Sequence, residues 1–382
     1  MRDKVFTIPT GTAFLPTLVS ALLNGDLPRP GGVQPDPIDL SGITIMLPTR
    51  RAERALADMF LSASGRSAML LPRIRAIAGP DEDNLLIGAA AVASEIGTGS
   101  AALELAPAIG KTERLLLLTR MVLQWSKAKR GSGSDPTGEL GLGPIPSAGA
   151  RTPAQAANMA LELAGLMDLV EREGRTLDGI ADIVPASFSE HWQATLEFLK
   201  IITQFWPAVL IERGFMSPWD RQNRLLIAEA QRLRQAPPAG PVIVAGVTGS
   251  IPATVELMQA VAALENGAIV LPGLDLGLDE DSWTAIAPGH PEHPDFGLKK
   301  LLQTLEVSRS DIRLVAGSEP SPTLSARSDF ISEAMRPTET TANWHDWVLA
   351  TDRNAIAGAF ADVSLIEAAN PQEEAEAIAL IM

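Results

Sequence analysis

The chain has 382 residues, enough for two or three domains, and its 46% hydrophobic and 20% charged residues make a globular rather than a disordered composition. Cysteine is absent, which excludes disulfides, cysteine-held zinc and iron–sulfur clusters within this chain. The net charge of −15 offers a polyanion little long-range attraction, so nucleic-acid contact would need a local basic surface.

In chain order, Val5–Pro9 predicts a strand, followed by a glycine turn and a helix over about Phe14–Asn24. A Pro- and Gly-rich loop leads to "ITIMLPTRRAERALADMFL", which repeats the pattern. Ile43–Leu47 is apolar except for Thr44, as a strand buried on both faces should be. Pro48 ends it, and Thr49 is placed to cap the next helix. Two such units in succession predict parallel strands with crossover helices. From about Asn84 to Gln235 long helical stretches follow one another, with Thr152-Pro153 and Ser217-Pro218 marking helix starts. "GSGSDPTGELGLGPIPSAGA" reads as a mobile loop within this block. Strand chemistry returns in "PVIVAGVTGS" and "GAIVLPGLDL", and "GLKKLLQTLEV" reads as a helix. A polar stretch runs from about Ala316 to Ala342. The chain closes on a predicted strand and a helix opening at Asn370-Pro371. Its last helix stops without a C-cap, which predicts part of a longer protein. No apolar run reaches the ~20 residues that span a bilayer, and "MRDKVFTIPTG" has no signal-peptide pattern, so a cytoplasmic location is expected.

Strand, glycine turn and helix is also the layout of a phosphate-binding loop. Thr10, Gly11 and Thr12 give the turn, but Ala13, Phe14, Leu15 and Pro16 fill the positions that need small or flexible residues. No lysine follows to neutralise phosphates. The later strand "VIVAG" ends in Ala245-Gly246, where a helicase-type ATPase carries carboxylates for Mg²⁺ and water. The first carboxylate there is Glu256, inside the next helix. A second phosphate-loop ending, Gly110-Lys111-Thr112, has Leu105 where the motif needs its first glycine, and "AALELAPAIG" is a poor strand. It reads as a helix start. "GHPEHPDF" brings His290 and His293 together, with Glu292 or Asp295 as a possible third ligand, yet the spacing fits a solvated turn better than a metal site. Glu373, Glu374 and Glu376 suit the N-terminal dipole of the last helix.

The segments "VFTIPTGTAFLPTLVSALL", "ITIMLPTRRAERALADMFL", "GFMSPWDRQNRLL", "VIVAGVTGSIPATVELMQAV", "GHPEHPDFGLKKLL" and "VSLIEAANPQEEAEAIALIM" together resemble the N-terminal part of the AddB family in its alphaproteobacterial form. AddB is the second subunit of the AddAB helicase–nuclease. The resemblance runs over essentially the whole chain, in matching order. It implies an α/β, superfamily 1 helicase-like parallel sheet with a large helical insertion. Residues 1–84 and 237–276 would form an inactivated domain 1A, 85–236 the insertion 1B, and 277–382 a connector and the start of domain 2A. It further implies a heterodimer with an AddA-type motor subunit and contact with single- and double-stranded DNA. Mg²⁺ and ATP would belong to the full complex, and this segment would lack its own ATPase and nuclease sites. At the position of the motif that follows the phosphate loop, Thr49, Arg50 and Arg51 are candidates for contacting a DNA backbone, with helix capping and solvated charge as the alternative. Trp125 and Lys127, with Lys129 and Arg130, form a second aromatic-plus-basic group. Two other readings stand beside this one: an active NTPase using Gly110-Lys111-Thr112, and a structural α/β module without a DNA role.

Overall fold

A computed structural model describes residues 2–28, 32–64, 69–77, 105–131, 150, 152–177, 189–286 and 290–381. The expected boundary near residue 84 and most of the Gly/Pro/Ser-rich loop lie outside that set, as do the side chains of Lys129, Arg130 and Trp192.

Six parallel strands form one sheet. In chain order they are β1 (Val5–Ile8), β2 (Thr44–Leu47), β3 (Arg73–Ala76), β4 (Val242–Ala245), β5 (Gly267–Pro272) and β6 (Arg313–Leu314), and their order across the sheet is β3-β2-β4-β5-β1-β6. Helices cover both faces, as a parallel sheet requires. The period of two decides which residue faces which layer. Ile243 and Ala245 face a core completed by α1 (Phe14–Asn24) and α3 (Arg50–Ser64), through Leu18, Leu22, Leu56 and Phe60; the short α2 (Pro37–Leu40) adds Leu40. Val242 and Val244 face the opposite core, built with helices introduced below.

Between β3 and β4 the chain is helical: α4 (Lys111–Gly131), α5 (Pro153–Arg172), α6 (Ser189–Lys200), a π-helical turn (Ile201–Phe205), α7 (Trp206–Arg213) and α8 (Pro218–Gln235). The first four of these helices share a separate core around Leu118, Val122, Leu163, Met167 and the fully buried Trp206. Thr152 caps α5 with the reciprocal Thr–Gln box its sequence implies. α8 does not join that core. Its apolar stripe Leu225, Leu226, Ala230 and Leu233 packs on the sheet beside α9 (Pro252–Ala263).

After β5 come α10 (Glu280–Ala285) and α11 (Phe296–Leu305), whose Leu298, Leu301, Leu302 and Leu305 complete the second core. β6 then pairs with β1, Phe6 opposite Arg313. The sheet therefore draws on residues beyond 276 as well as on α8. The polar stretch is not irregular. It holds α12 (Pro322–Ala334), started by Pro322 and by Ser321, whose hydroxyl accepts the Leu324 N–H at 3.2 Å. α13 (Trp344–Ala350), α14 (Arg353–Ala359) and α15 (Pro371–Ile381) follow. The strand expected before α15 does not form. Residues 363–368 make no ladder among the described residues, and Leu365 and Ile366 are exposed. A strand needs a neighbouring edge to satisfy its amides, and none is presented there.

Candidate functional site

Ligands of open parallel sheets bind at the carboxyl ends of the strands, so the site is built from the loops at that edge. After β1, Pro9–Thr12 forms a turn in which the Thr12 N–H donates to the Pro9 carbonyl at 3.2 Å. Gly11 has φ 85°, a left-handed conformation that favours glycine. Gly246, after β4, has φ 73°, and Gly273, after β5, has φ 64°.

Each of these glycines meets a side chain where a phosphate-binding loop would leave room for a ligand to approach the backbone. A methyl group on Gly11 would stand 2.5 Å from Leu324 Cδ1 of α12. One on Gly273 would stand 2.5 Å from Thr10 Oγ1. One on Gly246 would stand 3.3 Å from Phe14 Cε1 and 3.6 Å from Pro48 Cδ. The loops after β1 and β2 thus meet over Gly246, although two strands separate β1 from β2. Buried Thr7 ties the edge together: its hydroxyl donates to the Leu271 carbonyl at 3.3 Å and accepts the Leu274 N–H at 3.2 Å. The N-terminus of α1 has Ala13 at its cap, with no side-chain hydrogen bond.

Beside this edge lies a cavity of about 670 Å³ whose lining includes Thr10, Asp275, His293, Asp295, Ser328 and Asp329. Burial, and then the neighbouring Asp275, raise the Asp295 carboxyl to about 6. Burial also raises Asp329, helped by Asp275 and Glu333. Burial lowers His293. The described lining has three carboxylates and no lysine or arginine, so it offers a bare phosphate no countercharge. Sequence reasoning missed Asp275, Asp329 and Leu324, because the helix that supplies two of them lies in the polar stretch, to which no element was assigned. The Ser321-Pro322 helix-start pair was the available signal.

At the other expected positions, Glu256 pairs with Arg234 of α8 at 3.0 Å instead of facing the edge. Thr49 caps α3, its Oγ1 accepting the Ala52 N–H at 3.2 Å. Arg50 and Arg51 are exposed in the first turn beside the β2 end, and Arg54 is exposed one turn further. Trp125 is half-buried in the rim of the helical core, its ring 4.9 Å from that of Phe198, while Lys127 is exposed. These two do not join Thr49–Arg51. Gly110-Lys111-Thr112 opens α4, preceded by a single parallel bridge from Ala108 to Met216 rather than by a strand of the sheet. His290 sits between Glu292 at 3.2 Å and Glu339 at 2.8 Å, and these hydrogen bonds, Glu339 first, raise its pKa. Among the described residues, no group of three or more His, Asp or Glu is placed to hold a metal, and no helix is long and apolar enough to cross a membrane.

These loops belong to an α/β protein with a six-stranded, all-parallel sheet covered by helices, the architecture of Rossmann-type and P-loop-type proteins. No protein-family model matches the chain, and no curated protein is significantly similar to it in sequence.

Proposed function

We propose that the chain is a non-catalytic, helicase-like scaffold of a DNA double-strand break repair helicase–nuclease, of the AddB type, that guides a single strand in complex with an AddA-type motor subunit. One observation carries this reading: the carboxyl edge of the sheet has the turns of a nucleotide site, but Phe14, Thr10 and Leu324 stand against its left-handed glycines. An edge filled this way retains shape without the means to bind and cleave a triphosphate. ATP and Mg²⁺ then belong to the motor subunit. The exposed Arg50 and Arg51, held at the start of α3 by the Thr49 cap, are the groups that meet the phosphates of the strand.

The test is binding of a fluorescent single-stranded oligonucleotide by the full chain, alone and with its motor partner, over a salt series. Affinity should fall with salt. Arg50→Ala/Arg51→Ala should lower the salt slope by roughly 1.4, two contacts at about 0.7 each for single strands. Salt-independent binding, or Mg²⁺-dependent ATP hydrolysis abolished by Phe14→Glu, would overturn the reading.

A further inference from the structure

A second cavity lies at the mouth of the helical block, away from the loops described above. Residues 107–109 and 215–216 run parallel there for a single bridge. The Met216 N–H donates to the Pro107 carbonyl at 2.9 Å, and the Ile109 N–H donates to the Met216 carbonyl at 3.0 Å. Each segment passes at once into a helix, α4 from Lys111 and α8 from Pro218. Parallel pairing puts both helix N-termini at the same end, so their positive dipole ends act on one space. A cavity of about 630 Å³ opens there, within the range of small-ligand sites.

Its lining is cationic. Its described lining holds Lys111, Arg114 and Arg221 together with one carboxylate, Asp168. Arg114 is 7% exposed and Arg221 8%, so two guanidinium groups are held in a largely dehydrated wall, where an anion is bound more strongly than at an open surface. Arg114 reaches Asp168 at 2.6 Å and the Ala164 carbonyl at 3.2 Å, and its buried Nε–H has no acceptor among the described residues. Arg221 donates through Nε to the Ala106 carbonyl at 3.2 Å. The acidic residues in the two first turns are engaged elsewhere: Glu113 with Arg213 at 3.0 Å, Asp220 with Arg224 at 3.2 Å. Nearby Glu171 is pushed upward by burial, which disfavours its charge. Gly110 leaves the entrance clear, since a methyl group there meets nothing within 4 Å. Trp219 supplies an apolar wall for the organic part of a ligand.

We propose that this mouth binds a phosphate monoester, its dianion held by Lys111, Thr112 and the first amides of α4. This site is independent of the filled sheet edge and of the Arg50–Arg51 surface. The monoester is either that of a free nucleotide or the 5′-phosphate at the end of a strand.

The test uses the full chain with inorganic phosphate and AMP by calorimetry, and with 5′-phosphorylated and 5′-hydroxyl oligonucleotides in competition. AMP should bind without Mg²⁺ and should slow amide exchange in residues 111–114. Exposed Lys111→Ala should weaken binding about tenfold or more, the loss of one charged hydrogen bond. Thr112→Glu should abolish it while leaving the fold intact, because a carboxylate in a first turn suits the helix dipole. Arg50→Ala/Arg51→Ala should leave it unchanged, which separates this site from the strand-guiding surface. Preference for the 5′-phosphorylated oligonucleotide assigns the ligand to a strand end; failure of both oligonucleotides to displace bound AMP assigns it to a free nucleotide. Either result supports the site. No binding at millimolar phosphate or AMP, or binding indifferent to Lys111→Ala and Thr112→Glu, would overturn it.

Discussion

The carboxyl edge of the sheet and the mouth of the helical block use one backbone device to opposite ends. In both, parallel segments run into helix N-termini, where amides and dipoles favour an anion. At the sheet edge the left-handed glycines receive carbon and hydroxyl groups from Leu324, Phe14 and Thr10, and the adjoining cavity is lined with aspartates. At the helical mouth the glycine is open, and the charged groups of the lining are Lys111, Arg114 and Arg221 against Asp168. The strand, glycine turn and helix of a phosphate loop therefore lie in the acidic, filled region, while the Gly110-Lys111-Thr112 ending lies at the cationic mouth. The cationic cavity follows a segment that makes only one bridge. Backbone layout alone does not decide whether a turn binds phosphate; the side chains facing it do.

The largest expected effect tests how tightly the sheet edge is filled. Gly246→Val would force a β-branched residue to φ 73° and press its Cβ against Phe14 Cε1 at 3.3 Å. A loss of about 3 kcal/mol is expected from backbone strain and crowding combined, measured by urea unfolding. A loss under about 1 kcal/mol would mean that Phe14 yields easily and that the edge is an openable site.

The next effect tests the electrostatic half of the contrast. Asp295 keeps its proton up to about pH 6 in the folded chain, against an ordinary carboxyl value near 4 when unfolded. The folded state binds more protons between these values, so stability falls as pH rises from about 4 to about 6, by roughly 2–3 kcal/mol. Asp275 raises this carboxyl and Arg309 opposes the shift, while Asp329 and His293 line the same cavity. Asp295→Asn should flatten that part of the profile and raise stability at pH 7. An unchanged slope would show that the cavity is well solvated and not a repulsive wall.

The central strands were legible because burial on both faces imposes continuous apolar runs, as in Ile43–Leu47 and Val242–Ala245. The edges were not. β3 reads as polar because an edge strand leaves Arg73 exposed, while the Arg75 guanidinium, which burial penalises, is offset by Glu229 at 3.8 Å. β6 has two residues and no periodicity to read. α8 was recognised as a helix, but its apolar stripe does not reveal which core it joins. At the site, Phe14 was visible as an ill-suited loop residue. Leu324 was not, because it lies more than 300 residues away and reaches Gly11 only through the fold. At the cationic mouth Gly110-Lys111-Thr112 was visible as a phosphate-loop ending, but its meeting with Arg221 was not, because the two come together through one bridge between distant segments.

The smallest effect is a matched pair that separates the two regions by sign. Gly11→Ser puts a side chain into a left-handed turn already met by Leu324, and about 1–2 kcal/mol of stability should be lost. Gly110→Ser places the same side chain at the cap of α4, in open space and without positive φ, where serine is a favoured capping residue. Stability there should stay level or rise by up to about 0.5 kcal/mol. The new hydroxyl would accept the first free amides of α4, so AMP affinity should fall even as unfolding moves to higher urea. Gain in the cap and loss of the ligand have one cause, because both compete for the same N–H groups. If Gly110→Ser left AMP binding unaltered while stabilising the helix, those amides would not be what the phosphate meets.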